Sequence, residues 1–358
     1  MERLGAQKDR TRLTMGMKRR DFLVLTIGGA VAAVVSSPPA YGAKLGSVKF
    51  GVASVDPYSS PIYVADKMGY WKDEGLEVEY FDSQSGPRSK QMLAAKQIFA
   101  TSTGMNDVVA LSLAGKPSVV VLGIDNRVTF ANILVNKKLY DAGVKSVSDL
   151  AGRSIAVTQP QAATWLMAVY ITERAGLKDK VTIRGLGDFT TMMGAVKSGT
   201  VDACTATVSM INKAREEGWG VPIFDVTETE AWNKVFGGDI TGVCVWVLRE
   251  TLEKSRDQIQ ALVNGLVRGT DFVRDHSPED IAEVLHKDYL HQYPMPAVLA
   301  GLRIYKKTWN YTNLVTKEVY DRLIRVMGGG RQYSDAELAT YPYEKGCEMS
   351  FVRKARRL

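Results

Sequence analysis

From Val48 to Leu248, short apolar runs of strand character alternate with runs of helical spacing. This alternation restricts the chain to an α/β arrangement with mostly parallel strands. Val48–Ala53, Leu76–Phe81, Ile98–Thr101 and Val119–Leu122 read as strands. Between them Pro61–Met68, Arg88–Ala95 and Asn106–Ala114 carry helical periodicity, the first stopped by Gly69 and the last by Gly115 and Pro117. Ile133–Val135 is a short apolar run, and then the alternation restarts. Strands are expected at Ser154–Val157, Val181–Gly185, Val201–Thr205 and Val243–Leu248, with helices at Thr164–Ala175, Thr190–Lys197 and Met210–Glu217. From Asp257 onward the pattern is mainly helical. Two similar α/β runs thus follow one another. A short internal echo supports the pairing: Ile98–Thr103 and Val201–Thr207 are both strands that end in hydroxyl residues.

A length of 358 residues allows two domains, and 45% hydrophobic with 24% charged residues is globular composition. The net charge of +7 does not describe the body of the chain. Residues 1–42 hold seven of the 46 Lys/Arg and three of the 39 Asp/Glu, leaving 39 against 36. A body this balanced gives no reason to expect a nucleic-acid partner. The surplus belongs to a segment with the three parts of an export signal. Arg10, Arg12, Lys18, Arg19 and Arg20 form its basic part, Phe22 to Val35 its apolar part, and Ala40-Tyr41-Gly42 offers small residues for cleavage after Gly42. The apolar part is shorter than the about 20 residues of a spanning helix. Arg19-Arg20-Asp21-Phe22-Leu23 resembles a twin-arginine signal, so 1–42 is read as a twin-arginine-type export signal and the mature protein is expected in the periplasm. An ordinary Sec signal and an uncleaved anchor are the alternatives.

No catalytic constellation is visible, and the chain is not expected to be an enzyme. There is no phosphate loop, dinucleotide fingerprint or nucleophile elbow. His276, His286 and His291 all fall in the C-terminal helical part, and His286 and His291 are five apart, which does not put them on one helix face. Cys204, Cys244 and Cys347 have no metal-site spacing, and Cys204 and Cys244 read as small buried hydrophobes. Neither metal nor cofactor is expected. What remains is four loops of binding character between strand ends and helix starts, where ligands of open α/β sheets bind. The first contains Tyr58, Ser59 and Ser60, the second Ser102 and Thr103. The third contains Gln159, Gln161, Ala163 and Thr164, and the fourth Thr205 and Thr207. Helix N-terminal amides there suit an anion, and small Ala162 and Ala163 make the third loop the strongest candidate. Each loop also reads as a plain helix cap. Arg88 and Arg127 read either as partners of an anionic ligand or as solvated surface residues.

Three segments carry a family resemblance. Pro61-Ile62-Tyr63-Val64-Ala65 through Gly69-Tyr70-Trp71 to Gly75-Leu76-Glu77-Val78, then Asp149-Leu150-Ala151-Gly152-Arg153-Ser154-Ile155-Ala156-Val157, then Ser198-Gly199-Thr200-Val201-Asp202-Ala203, resemble the ABC-transporter substrate-binding proteins for nitrate, sulfonate, taurine and thiamine-precursor pyrimidines. Ala95-Lys96-Gln97-Ile98 departs from the Gly/Asp turn usual before the third strand. The resemblance implies a periplasmic-binding-protein-like fold of two α/β lobes joined by a two-crossover hinge. Lobe 1 is expected to combine 43–139 with 239–358, and lobe 2 to span 140–238. It also implies a small-molecule ligand held between the lobes, ABC permease subunits as partners and a monomeric state. A small organic anion is the expected ligand. Alternatives are a sensor for a membrane receptor and a pyrimidine-precursor binding protein or synthase-like enzyme.

Overall fold

In a computed structural model describing Leu45–Gly330 and Gln332–Leu358, ten strands form two five-stranded sheets among the described residues. The first contains β1 (Gly46–Val52), β2 (Leu76–Asp82), β3 (Ala100–Gly104), β4 (Ser118–Gly123) and β10 (Val243–Leu248), in the order β2-β1-β3-β10-β4. The second contains β5 (Asn132–Asn136), β6 (Ser154–Val157), β7 (Thr182–Gly185), β8 (Ala203–Ala206) and β9 (Gly220–Phe224), in the order β7-β6-β8-β5-β9. This is the periplasmic-binding-protein fold with two α/β lobes. The export-signal segment 1–42 lies outside the described residues.

The two sheets obey one plan. Four strands run in one direction and the fifth, antiparallel to them, is wedged beside the edge strand: β10 between β3 and β4, β5 between β8 and β9. In both cases the wedged strand is the first one laid down after the chain has crossed from the other sheet. β3, β4, β5, β8 and β10 are buried at every position, which explains the continuous apolar runs of β4, β5 and β10. Cys204 on β8 and Cys244 on β10 are buried free thiols, and Cys347 is also free.

The expected boundary at 139/140 needs correction. β5 pairs with β8 and β9, so the first crossing lies between Gly123 and Asn132. Ile133–Val135 has no partner visible from the sequence because β9 carries Gly220 and Pro222 and does not read as a strand. Proline is tolerated there because β9 is the edge of its sheet, where a missing N–H costs no ladder bond.

The two crossings touch. Ile124 N donates to Val243 O at 3.0 Å, Ile240 N to Asn126 O at 3.0 Å, and the amides of Gly242 and Val243 donate to Asp125 Oδ1 at 2.7 and 3.0 Å. Gly242 makes the approach possible: a Cβ there would lie 2.7 Å from Val128 Cα. Helices that matter below start at the carboxyl ends of the parallel strands: α1 (Ser60–Lys67), α2 (Gly86–Ala94), α3 (Met105–Leu113), α4 (Ala163–Arg174), α5 (Phe189–Ser198) and α6 (Val208–Glu216). Gly242→Ala is expected to destabilise the fold by about 1–3 kcal/mol, since backbone rather than a movable side chain must give way. Urea unfolding measures this; an unchanged midpoint would show that the crossings separate at no cost.

Candidate functional site

The loop after β1 sets one wall. Asp56 caps the 3-10 turn Pro57–Ser59, its Oδ1 accepting from Tyr58 N at 3.1 Å. The Tyr58 hydroxyl sits 2.8 Å from Ser54 Oγ, and its ring meets Tyr305 edge-on. Burial pushes the Tyr58 phenol well up, so it stays a neutral hydroxyl.

Beyond this loop, helix starts from both lobes face one cavity of about 30 Å³. α2 contributes Ser85 and Gly86, α3 Thr103 and Gly104, α4 Ala162–Thr164, and α5 Phe189. A volume of this size admits about one or two water molecules. The lobes are in contact around it: a Cβ on Gly104 would lie 2.7 Å from Ala163 Cβ, and Asn106 Nδ2 donates to Gln161 O at 3.5 Å. Neither α3 nor α4 has a side-chain cap, with Gly104 and Ala162 at the cap positions. Uncapped first-turn amides and the helix dipole make these two starts electropositive. α2 and α5 are capped by Ser85 and Asp188.

Of the expected site residues, Tyr58, Thr103, Ala163 and Thr164 line this cavity together. Thr103 Oγ1 accepts from Trp246 Nε1 at 2.9 Å, and Thr164 Oγ1 accepts from Thr158 N at 3.1 Å. The other seven do not line it. Ser60 Oγ donates to Pro57 O at 2.6 Å, while Ser59, Ser102 and Thr205 are buried with hydroxyls that find no partner. Gln159 is half-buried, and Gln161 is exposed with φ 65°. Arg88 is exposed and bonds Gln84, whereas Arg127 donates to Thr227 O at 3.3 Å and Thr229 Oγ1 at 2.6 Å. Arg127 thus braces the segment after β9.

Thr207 has a different task. It caps α6, and its hydroxyl donates across the lobes to Asp56 Oδ2 at 2.7 Å. Tyr293 OH donates to the same oxygen at 3.3 Å, and Ser209 Oγ lies 3.4 Å from Oδ1. Asp56 is fully buried, and burial pushes its carboxyl up to about 6; bonds from Thr207, the Tyr58 amide, Tyr305 and Tyr293 oppose the rise. Loops one and four therefore hold each other.

Sequence reasoning missed Asp107, which lines the cavity from the first turn of α3. The available signal was an acid directly before the apolar run Val108–Leu111, a place that faces the core. Also missed were Ser54, Ser85, Phe130 and Phe189. His276 and His286 bond the carbonyls of Phe272 and Tyr293, and neither lines the cavity.

Residues 56–280 match the model of the family described as NMT1/THI5 like. A Bacillus subtilis (strain 168) protein named as an aliphatic sulfonates-binding protein is 32% identical over 105 residues, 28% of this chain and 30% of that protein's length. A structure from Bordetella bronchiseptica RB50 superposes with TM-score 0.75 at 21% identity, covering 87% of this chain and 97% of the other. The alkanesulfonate-binding protein of Xanthomonas axonopodis pv. citri, bound to MOPS, superposes with TM-score 0.65 at 16% identity, covering 82% and 96%. At these identities the superpositions establish the fold.

Asp56 predicts a pH signature. Its folded value of about 6 stands above the ordinary 3.8, so folding favours the protonated acid. That contribution is fully present below about pH 4 and is lost as pH rises through about 6. Asp56→Asn should remove this loss, flattening the stability profile between pH 4 and 7 by roughly 2–3 kcal/mol relative to the parent. Urea midpoints of both proteins across that range test it; parallel profiles would contradict it.

Proposed function

The chain belongs to the NMT1/THI5-like family, and from that premise we propose that it is an extracytoplasmic solute-binding protein that holds a small organic anion between its lobes. The carrying observation is the meeting of helix starts from both lobes at one cavity, two of them without side-chain caps. First-turn amides at a shared cavity attract negative charge and can supply hydrogen-bond donors to it. Sulfonate, nitrate-like or carboxylate groups match that chemistry, and the sulfonate names among the relatives favour the first.

A cavity of about 30 Å³ is too small for such a solute, so capture requires the lobes to part and close again. A ligand touching both lobes shifts that equilibrium toward the closed form by the contacts it makes only there. The closed form is then what ABC permease subunits recognise, with the protein acting as a monomer and without catalysis. The reading places it in the periplasm after cleavage behind Gly42, by the twin-arginine route. No helix among the described residues is long and apolar enough to cross a membrane.

A second reading has its own support. Tyr58, Phe130 and Phe189 all line the cavity. Three aromatic rings suit stacking on a flat heterocycle such as a pyrimidine.

Thermal unfolding in the presence of sulfonates, nitrate, carboxylates and pyrimidines tests the proposal. A true ligand at 100 times its Kd stabilises the folded form by about 2.7 kcal/mol, a rise of several degrees in Tm. No rise with any class would overturn the reading. Thr164→Leu is expected to weaken the best ligand by at least about tenfold while the protein still unfolds cooperatively, because the larger side chain fills the wall at the start of α4. Unchanged affinity on calorimetry would remove α4 from the site.

A further inference from the structure

The least satisfied group in the cleft is the carboxylate of Asp107. Its side chain is 1% exposed, it lines the cavity, and neither oxygen receives a hydrogen bond of good geometry. Lys90 Nζ forms an ion pair with Oδ1 at 3.5 Å, at the outer edge of hydrogen-bond range, and Thr103 and Lys90 are the polar groups of the chain that face the carboxylate. A carboxylate has about four lone-pair sites, so both oxygens retain capacity to accept. Buried acids left in this condition are costly, and they persist where something else completes them.

The surroundings are fitted to this acid. Asp107 occupies the first turn of α3, where the helix dipole favours negative charge. A Cβ on Gly86 would lie 2.4 Å from Asp107 Oδ2, so the glycine at the start of α2 leaves the carboxylate its place. Burial raises the Asp107 acid, and Lys90 and then Thr103 counter that rise. Yet the cavity also receives the uncapped starts of α3 and α4, which attract an anion. A plain anion would satisfy those amides but leave the accepting oxygens of Asp107 without a donor. A solute with a positive or N–H-bearing end would satisfy both.

Building on the solute-binding reading, we propose that Asp107 is a specificity-determining residue that accepts from an N–H group of the ligand, a protonated amine or a ring amino group, while the helix starts hold its acidic or electron-rich end. The ligand class is thereby narrowed to solutes that carry both an acceptor-rich end and an amino donor.

Isothermal calorimetry with matched pairs tests this: taurine against propanesulfonate, β-alanine against butyrate, and 4-aminopyrimidine against 4-methylpyrimidine. Each pair exchanges an amino group for a methyl of similar size. The parent protein should bind the amino member of at least one pair at least about tenfold tighter than its methyl partner, as expected where a buried acceptor is left unpaired by the analogue. Asp107→Asn should erase that preference, lowering affinity for the amino member while changing the methyl member by less than about threefold. Gly86→Ala, which displaces the carboxylate, should act in the same direction. Equal affinity within every pair that binds, or equal loss for both members in the variants, overturns the role of Asp107 and leaves solute binding standing. Absence of binding by all six compounds overturns the proposal together with the ligand classes it rests on. The comparison on the parent protein decides the matter even where a variant does not fold.

Discussion

Neither lobe is complete until the chain has visited the other. β10 fills the gap between β3 and β4 only after β5–β9 have been laid down, and β5 opens the second sheet only after β4 has closed off the first run. The wedged strands are antiparallel to their neighbours; the first crossing passes directly from Gly123 to Asn132, and the second, from Phe224 to Val243, carries the helix Thr229–Phe236. The crossings are bonded to each other through Asp125, Gly242 and Val243. Everything placed at the cleft depends on this pairing. Trp246 on β10 reaches Thr103 at the end of β3, so the strand that returns from the second lobe also fixes a wall residue of the first.

Around that frame the polar groups divide into those that join the lobes and those left open to a solute. Asp56, Thr207, Ser209 and Tyr293 form a closed buried set that joins lobe to lobe. Tyr58, Thr103, Thr164 and Asp107 stand at the cavity. Buried networks are costly when incomplete and rigid when complete. The first set has its partners within the chain. Asp107 has only the long ion pair with Lys90, which is why the two carboxylates, both wholly buried, carry different meanings.

The alternation of apolar runs made the α/β class legible, and four of the residues named in the strand-to-helix loops, Tyr58, Thr103, Ala163 and Thr164, line one cavity. The sequence could not separate the loops' roles. Tyr58 and Thr207 both precede helices and both read as capping or binding residues, but only the tertiary arrangement sends Thr207 to Asp56. Asp107 escaped because helical periodicity classifies a face as buried without saying what it is buried against. β9 escaped because Pro222 and Gly220 are strand breakers in a local reading, and only its edge position makes them acceptable.

That edge position has a consequence outside the cleft. A terminal strand with a free row of amides is a template on which another chain can add a strand. Pro222 has no amide to offer, and β9 is only five residues long. The second sheet is thereby blunted on the side where β9 ends it, so the protein can be abundant and crowded without its copies zipping together there.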